Sequence, residues 1–255
     1  MTYIFNENEV FETIKSDWLD FAEAVGTNKF ILGISGGIDS TTVATLACKI
    51  FGKENVYGLS MPCDYQADMN DVNEVFKFLG IKRLDFDIGD ANYSVVTGIE
   101  NNGIEVSDLT KTNLPARLRM ASVYAFAQSL NAIVLNTCNL SEDILGWNTF
   151  GGDNIGSYAP LRHLTKTEVR KLALWLDVPY VLVNKTPIDG LQPKSDEENF
   201  GFTYAEFDDY LRTGNPAFKF VNKSKDMYLR NKFKLDIVDL PGPEFDFPNY
   251  IIESK

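Results

Sequence analysis

One stretch constrains this chain more than any other. A short apolar run, Lys29-Phe30-Ile31-Leu32-Gly33-Ile34, leads at once into Ser35-Gly36-Gly37-Ile38-Asp39-Ser40 and then into Thr41–Phe51 (TTVATLACKIF). An apolar run without polar alternation reads as a buried strand of a parallel sheet. The segment after it reads as a helix, with Gly52 suited to its C-cap. Two adjacent glycines let the backbone turn sharply and approach an anion closely. The start of the following helix adds unpaired amides and a partial charge of about +0.5. Ser35 and Ser40 can supply hydroxyl donors. Ionised Asp39 cannot donate to phosphate, and a metal ion between it and the phosphates is the natural task for it. A plain strand–helix turn would account for Gly-Gly alone, but SGGxDS behind an apolar strand favours a phosphate site. The pattern GxxxxGK[ST] is absent, so γ-phosphoryl transfer is not the expected reaction.

The rest of the chain continues the rhythm. Residues 9–25 carry Val10, Ile14, Trp18, Phe21 and Val25 at helical spacing. Strands are expected at 56–60, 83–88 and 132–136, and helices at 68–79 (closed by Gly80), 116–130 and 166–176. Residues 178–183 are too short and proline-interrupted to assign, and 187–201 reads as a mobile Gly/Pro-rich, acidic loop. Helices are expected again at 204–211 and 217–232, with an irregular tail from Pro241. Strands alternating with helices imply an α/β fold: a Rossmann-like open, mostly parallel twisted sheet with helices on both faces. One domain is expected over 1–255, with a C-terminal helical and irregular extension from about residue 203.

Composition narrows the function classes. The chain has 255 residues and a net charge of −12, which argues against a nucleic-acid groove. Cys48, Cys63 and Cys138 are far apart, so a disulfide framework and a zinc knot are not expected and a reducing cytoplasm fits best. No apolar stretch is long enough to span a bilayer, and no secretory signal is visible. No convincing Ser–His or Cys–His pair offers a nucleophile. His163, the sole histidine, suits a local loop or capping role, and Cys138 suits a free buried thiol.

SGGxDS is the signature of the N-type ATP pyrophosphatases, and the chain resembles the ammonia-dependent NAD synthetases among them from about Phe30 to Asp209. Gly33–Ser40 resembles their ATP loop. Ser60-Met61-Pro62, Asn113-Leu114-Pro115-Ala116-Arg117-Leu118-Arg119-Met120, Asn139-Leu140-Ser141-Glu142, Gly152-Asp153, Pro160-Leu161, Leu164-Thr165-Lys166-Thr167 and Ser195-Asp196-Glu197 with Gly201 and Tyr204 follow in the family's order. The resemblance implies cleavage of ATP between its α- and β-phosphates. It implies amidation of deamido-NAD (nicotinic acid adenine dinucleotide) by ammonia through an acyl-adenylate, with release of AMP and pyrophosphate. It implies Mg²⁺ as cofactor and ATP as co-substrate. Asp39 and Glu142 would hold the metal, and Asp39 and Lys166 would be the catalytic pair. Gly33, Ile34, Ser35, Gly36, Gly37, Ile38, Asp39, Ser40, Thr137 and Lys166 would contact ATP. Arg117, Asn231 and Lys232 would contact the dinucleotide. By the same analogy the chain is expected to be a cytoplasmic homodimer, with the helix at 9–25 near the interface.

Five positions depart from the family. A lysine falls on Phe150, an aspartate on Ser157, a threonine on Ile188, a histidine on Asn231 and an arginine on Phe233. Most concern the substrate pocket rather than the adenylating machinery. Another N-type ATP pyrophosphatase, adenylating a different substrate, is the alternative. A tRNA-modifying or sulfur-transferring enzyme would need a basic surface or a cysteine pair. A nucleotide-binding protein without catalysis would have no use for Asp39, Glu142 and Lys166 together.

Overall fold

The computed structural model describes residues 3–63, 69–184 and 195–251. Ile188, Asp68 at the expected start of a helix, and residues 187–194 of the expected loop lie outside them. The chain opens with α1 (Glu7–Val25), capped by the Asn6 side chain on the Glu9 amide and ended by Gly26 at φ 73°. Then come β1 (Phe30–Gly33), α2 (Ile38–Phe51), β2 (Val56–Ser60), α3 (Met69–Leu79) and β3 (Lys82–Asp85). The middle holds α4 (Gly89–Asn101), α5 (Asp108–Leu130), β4 (Ile133–Val134), α6 (Leu140–Leu145) and α7 (Lys166–Trp175). The C-terminal part holds α8 (Tyr180–Val183), α9 (Asp196–Phe200), α10 (Tyr204–Thr213), α11 (Val221–Asn231) and α12 (Phe233–Ile237).

The four strands form one sheet in the order β3-β2-β1-β4, and every pairing is parallel. Phe30 of β1 lies opposite Val56 on one side and Ile133 on the other. Both faces are covered. Phe30 and Leu32 join Ile14, Trp18, Val43, Leu46, Val169 and Leu172 in a core beneath α1, α2 and α7. Ile31, Leu59 and Val134 meet Val123 and Ala127 of α5 on the opposite face. Trp18 is fully buried, stacked 4.9 Å from the Tyr158 ring. The apolar face of α1 (Val10, Ile14, Trp18, Ala22) is thus spent inside the chain's own core. A third cluster, around Phe200, Tyr204, Phe207 and Leu211, fastens the C-terminal helices to α6 through Ile144 and Leu145.

Several expectations need correction. The third strand runs over Lys82–Asp85 rather than 83–88: its partner β2 ends at Ser60 and Pro62 has no amide to carry the ladder on, although the Phe86 and Ile88 amides still bond to the Ser60 and Pro62 carbonyls. The fourth strand shrinks from 132–136 to Ile133–Val134. Past it, Leu135 bridges to Tyr158, and the Asn136 side chain bonds to the Asp153 carbonyl, so the chain turns toward that loop. Helix α5 begins at Asp108, capped by Ser107, and runs on through Pro115 instead of starting at Ala116. Helix α4 was not expected at all, residues 180–183 form a short helix, and the helix expected at 217–232 is α11 with α12 following it.

Candidate active site

The chain leaves β1 at the point where strand order reverses, with β2 on one side and β4 on the other. Open parallel sheets bind ligands in the crevice at such a point, beyond the carboxyl ends of the strands. Gly36 has φ 78°, and a Cβ there would lie 2.8 Å from the Asp71 Cβ and 3.0 Å from the Val72 nitrogen, so the turn is pressed against α3. Gly37 caps α2 without a side chain. The cap residue therefore offers the first-turn amides of α2 no side-chain acceptor. The loop hydroxyls hold one another: Ser35 Oγ and Ser40 Oγ are 3.1 Å apart, and Thr41 Oγ1 donates to the Gly37 carbonyl at 2.7 Å.

Asp39, in the first turn of α2, meets two other elements. Its Oδ1 accepts from Asn139 Nδ2 at 3.0 Å, and its Oδ2 accepts from Lys166 Nζ at 2.5 Å. The same ammonium donates to Glu142 Oε1 at 2.8 Å. Asn139 is fully buried, and its Oδ1 caps α6 by accepting from the Glu142 amide at 3.1 Å. One amide side chain thus orients Asp39 and anchors the helix carrying Glu142. Lys166 opens α7, where Thr165 and Glu168 form a reciprocal capping box. The Tyr204 ring lies 5.5 Å from Lys166 Nζ, and its hydroxyl donates to Asp196 Oδ2 at 3.1 Å.

Electrostatics follow from burial and neighbours. Burial opposes a charge on Lys166, but the Asp39 and Glu142 carboxylates outweigh it and hold the ammonium protonated, above the usual lysine range. Burial pushes Glu142 upward against the pull of Lys166, with Asp39 adding to the rise. Among the described residues, no group of three or more His, Cys, Asp or Glu side chains forms a closed metal cage. Two carboxylates converging on one cationic position do fit an ion that takes one or two carboxylates plus substrate phosphates, as Mg²⁺ does. Thr137 lies half-buried just past β4 on this side of the sheet. A cavity of about 520 Å³ lined by Leu19, Glu23 and Gly26 lies by the start of β1, away from the loop that follows the strand's other end.

The expected substrate residues are less tightly gathered. Arg117 is exposed on α5, and its Nε donates to the Phe150 carbonyl at 3.2 Å. The Phe150 ring lies 5.8 Å from that of Phe233 on α12. Ser157 faces Tyr124 across 3.4 Å. Asn231 bonds to its own helix, at the Met227 carbonyl, and covers Gly146, where a Cβ would lie 2.1 Å from the Asn231 Cγ. Lys232 is exposed and reaches Asp236 at 3.8 Å, whereas Lys234 donates to the Gly146 and Asn148 carbonyls at 2.9 and 2.8 Å. Cys138 is buried, its thiol near the Asp153 carbonyl and pushed well up by burial, and His163 pairs with Glu244 at 3.1 Å away from the cluster. Two residues gain a role that motif matching alone did not give them: Asn139 and Tyr204. Asn139-x-x-Glu142 was readable as a helix N-terminus. The place of Tyr204 under Lys166 depends on tertiary packing.

Comparison with known proteins points to one family. The family model described as NAD synthase matches residues 12–237. The NH(3)-dependent NAD(+) synthetase of Thermococcus kodakarensis is 39% identical over 201 residues, covering 78% of each chain. That of Thermococcus sibiricus is 43% identical over 183 residues, covering 71% of this chain and 70% of its own. The NMN synthetase of Francisella tularensis superposes with a TM-score of 0.84 at 31% identity, over 93% of this chain and 99% of that one.

Proposed function

The chain belongs to the NAD synthase family, and on that premise we propose that it amidates the nicotinate carboxylate of deamido-NAD with ammonia, consuming ATP. The observation that carries the reading is the Lys166 ammonium held between Asp39 and Glu142 beside an open helix start. A carboxylate is a poor electrophile. Its attack on the α-phosphorus expels pyrophosphate and gives an acyl-adenylate, from which ammonia displaces AMP. The difficulty is that two anions must meet.

Each group has a task in this scheme. Gly33, Ile34, Ser35, Gly36, Gly37, Ile38 and Ser40 cradle the phosphates with preorganised donors, which need no reorganisation as charge moves. Lys166 offsets the charge of the departing pyrophosphate, and Thr137 contacts the nucleotide. Asp39 and Glu142 would hold Mg²⁺, whose charge, when bound, would further neutralise the phosphates. Arg117, Asn231 and Lys232 would contact the nicotinate nucleotide, Lys232 by leaving Asp236. Aligning the two nucleotides supplies a large share of the rate. No side-chain nucleophile is needed. Incubation with ATP, Mg²⁺, ammonium and deamido-NAD should yield AMP, pyrophosphate and NAD in equal amounts. AMP without an amide product would defeat the assignment.

A second reading has its own support, the likeness to the Francisella NMN synthetase together with the apolar Phe150–Phe233 contact. In it the chemistry is the same, and the acid is nicotinate mononucleotide. The ratio of kcat/KM for the two acids, measured in competition, decides between them.

Assembly and location belong to the same proposal. Tyr93, Ile104 and Leu109 are exposed along α4 and into the start of α5, and a second copy of the chain is the partner we assign to that surface. Light scattering at micromolar concentration should return twice the monomer mass. No helix among the described residues is long and apolar enough to cross a membrane. No disulfide joins Cys48, Cys63 or Cys138, which fits a reducing cytoplasm.

A further inference from the structure

Asp208 of α10 is 1% exposed, yet no described hydrogen bond joins it to a cation. Its Oδ1 accepts from Ser141 Oγ at 2.5 Å, and its Oδ2 accepts from the Thr167 amide at 2.8 Å. Ser141 Oγ in turn accepts from the Lys166 amide at 2.9 Å. Ser141 is the neighbour of Glu142 near the start of α6, while Lys166 and Thr167 are the first two residues of α7. One carboxylate therefore ties together the first turns of the two helices that present Glu142 and Lys166.

We propose that Asp208 is a positioning residue that sets the separation of Glu142 from Lys166. The inference rests on the reading that these two groups serve the ATP phosphates. The first amides of α7 have no intrahelical acceptor; Ser141 Oγ from α6 takes that of Lys166 and Asp208 takes that of Thr167, while the serine hydroxyl donates back to the carboxylate. A carboxylate accepts on both oxygens at once. It has a cost: burial pushes the Asp208 carboxyl up to about 6, against the hydrogen bonds from Ser141 and Thr167, with the Glu168 charge adding to the rise. A group raised above its ordinary value contributes stability at low pH and loses that contribution as pH rises through its folded pKa.

Asparagine is the informative replacement. It can accept from Thr167, but its amide can only donate toward Ser141, which leaves the serine hydroxyl proton without its acceptor. The test compares D208N, S141A and the double variant by pyrophosphate release, with deamido-NAD and with nicotinate mononucleotide, alongside thermal unfolding at pH 8. A displacement of about 1 Å in a catalytic group costs on the order of 100-fold. The expected result is a kcat lowered about 10- to 100-fold in D208N, with KM for the nicotinate nucleotide little changed. The double variant should be no slower than the worse single one. The unfolding midpoint of D208N should stay within about 4 °C of the wild type. If D208N keeps its kcat, or if it unfolds early while its folded fraction turns over normally, the inference falls and the reading stands. Should D208N fail to fold, an S141A enzyme with unaltered kcat overturns it equally. If the wild type releases no pyrophosphate with either acid, the reading falls and takes the inference with it.

Discussion

Around Asp39, side chains from four separate elements lock onto one another. Asn139 and Lys166 each make two side-chain hydrogen bonds, Glu142 accepts from Lys166 while its amide is held by Asn139, and Tyr204 closes the underside. Around Phe150 the picture is different. An exposed arginine leans on a backbone carbonyl, two phenylalanine rings meet at 5.8 Å, and Lys232 points along its own helix. The first region is preorganised for charge, and the second is held by apolar contact and a single clamp, that of Lys234 on the Gly146 and Asn148 carbonyls. An enzyme that must split ATP identically whatever acid it adenylates needs rigidity at the phosphates. Substrate choice can then drift at the other end without disturbing the chemistry.

The sharpest way to break this comparison is at Asp39. Asp39→Asn keeps the size but removes the charge that faces Lys166. AMP formation at saturating ATP should fall by on the order of 100-fold or more. If the loss stayed within a few-fold, the charged region would not be the catalytic one. A step below comes Asn139→Ala. It deletes the α6 cap, worth about 1 kcal/mol of stability, and frees Asp39 Oδ1. A kcat lower by about tenfold is expected from the lost charge-assisted bond, readable alongside urea unfolding. Normal turnover in the folded variant would show that Asn139 serves only the helix.

How much of this was legible beforehand follows the range of the forces. The loop Ser35–Ser40 was readable because strand, glycines and helix are contiguous, and their chemistry is local. The helix at 166–176 was readable for the same reason, its Thr165–Glu168 box lying within one turn. Helix α4 was hidden because its sequence, GDANYSVVTGIEN, is dense in poor helix formers (two glycines, two asparagines and β-branched Val95, Val96 and Thr97) and buries only Gly89. The early start of α5 was hidden by Pro115, a residue that ordinarily breaks a helix by losing a hydrogen bond and crowding the preceding turn. Asp208 and Tyr204 could not be assigned roles, since their partners lie on α6 and α7 and only packing brings them together. Family likeness named Lys232 as a ligand contact, but it could not foresee that the neighbouring Lys234 would be the one clamping the loop after α6.

The aromatic contact at the C-terminal side offers a milder test. Phe233→Arg puts a cation where the resemblance expects one. The side chain is 46% exposed, so a new phosphate contact is screened and worth at most about 1 kcal/mol. KM for deamido-NAD should therefore fall by no more than about fivefold, with kcat steady. An equal gain for nicotinate mononucleotide and for the dinucleotide would argue that the added charge reaches a phosphate common to both, and that Phe233 does not discriminate by length.

The smallest effect is expected at Lys232, and it separates two accounts of the C-terminal helices. Its ion pair with Asp236 spans 3.8 Å between exposed side chains one helical turn apart. Such pairs contribute little, about 0.3–0.5 kcal/mol at most, so Lys232→Ala should leave the unfolding midpoint almost unmoved. Lys234→Ala should do more, because it abandons two carbonyls at the end of the helix that carries Glu142. If Lys232 leaves Asp236 for the nicotinate nucleotide, Lys232→Ala will raise KM severalfold with stability intact. If it stays where it stands, KM and kcat will both match the wild type, and the cation that matters on this side of the site will be Lys234.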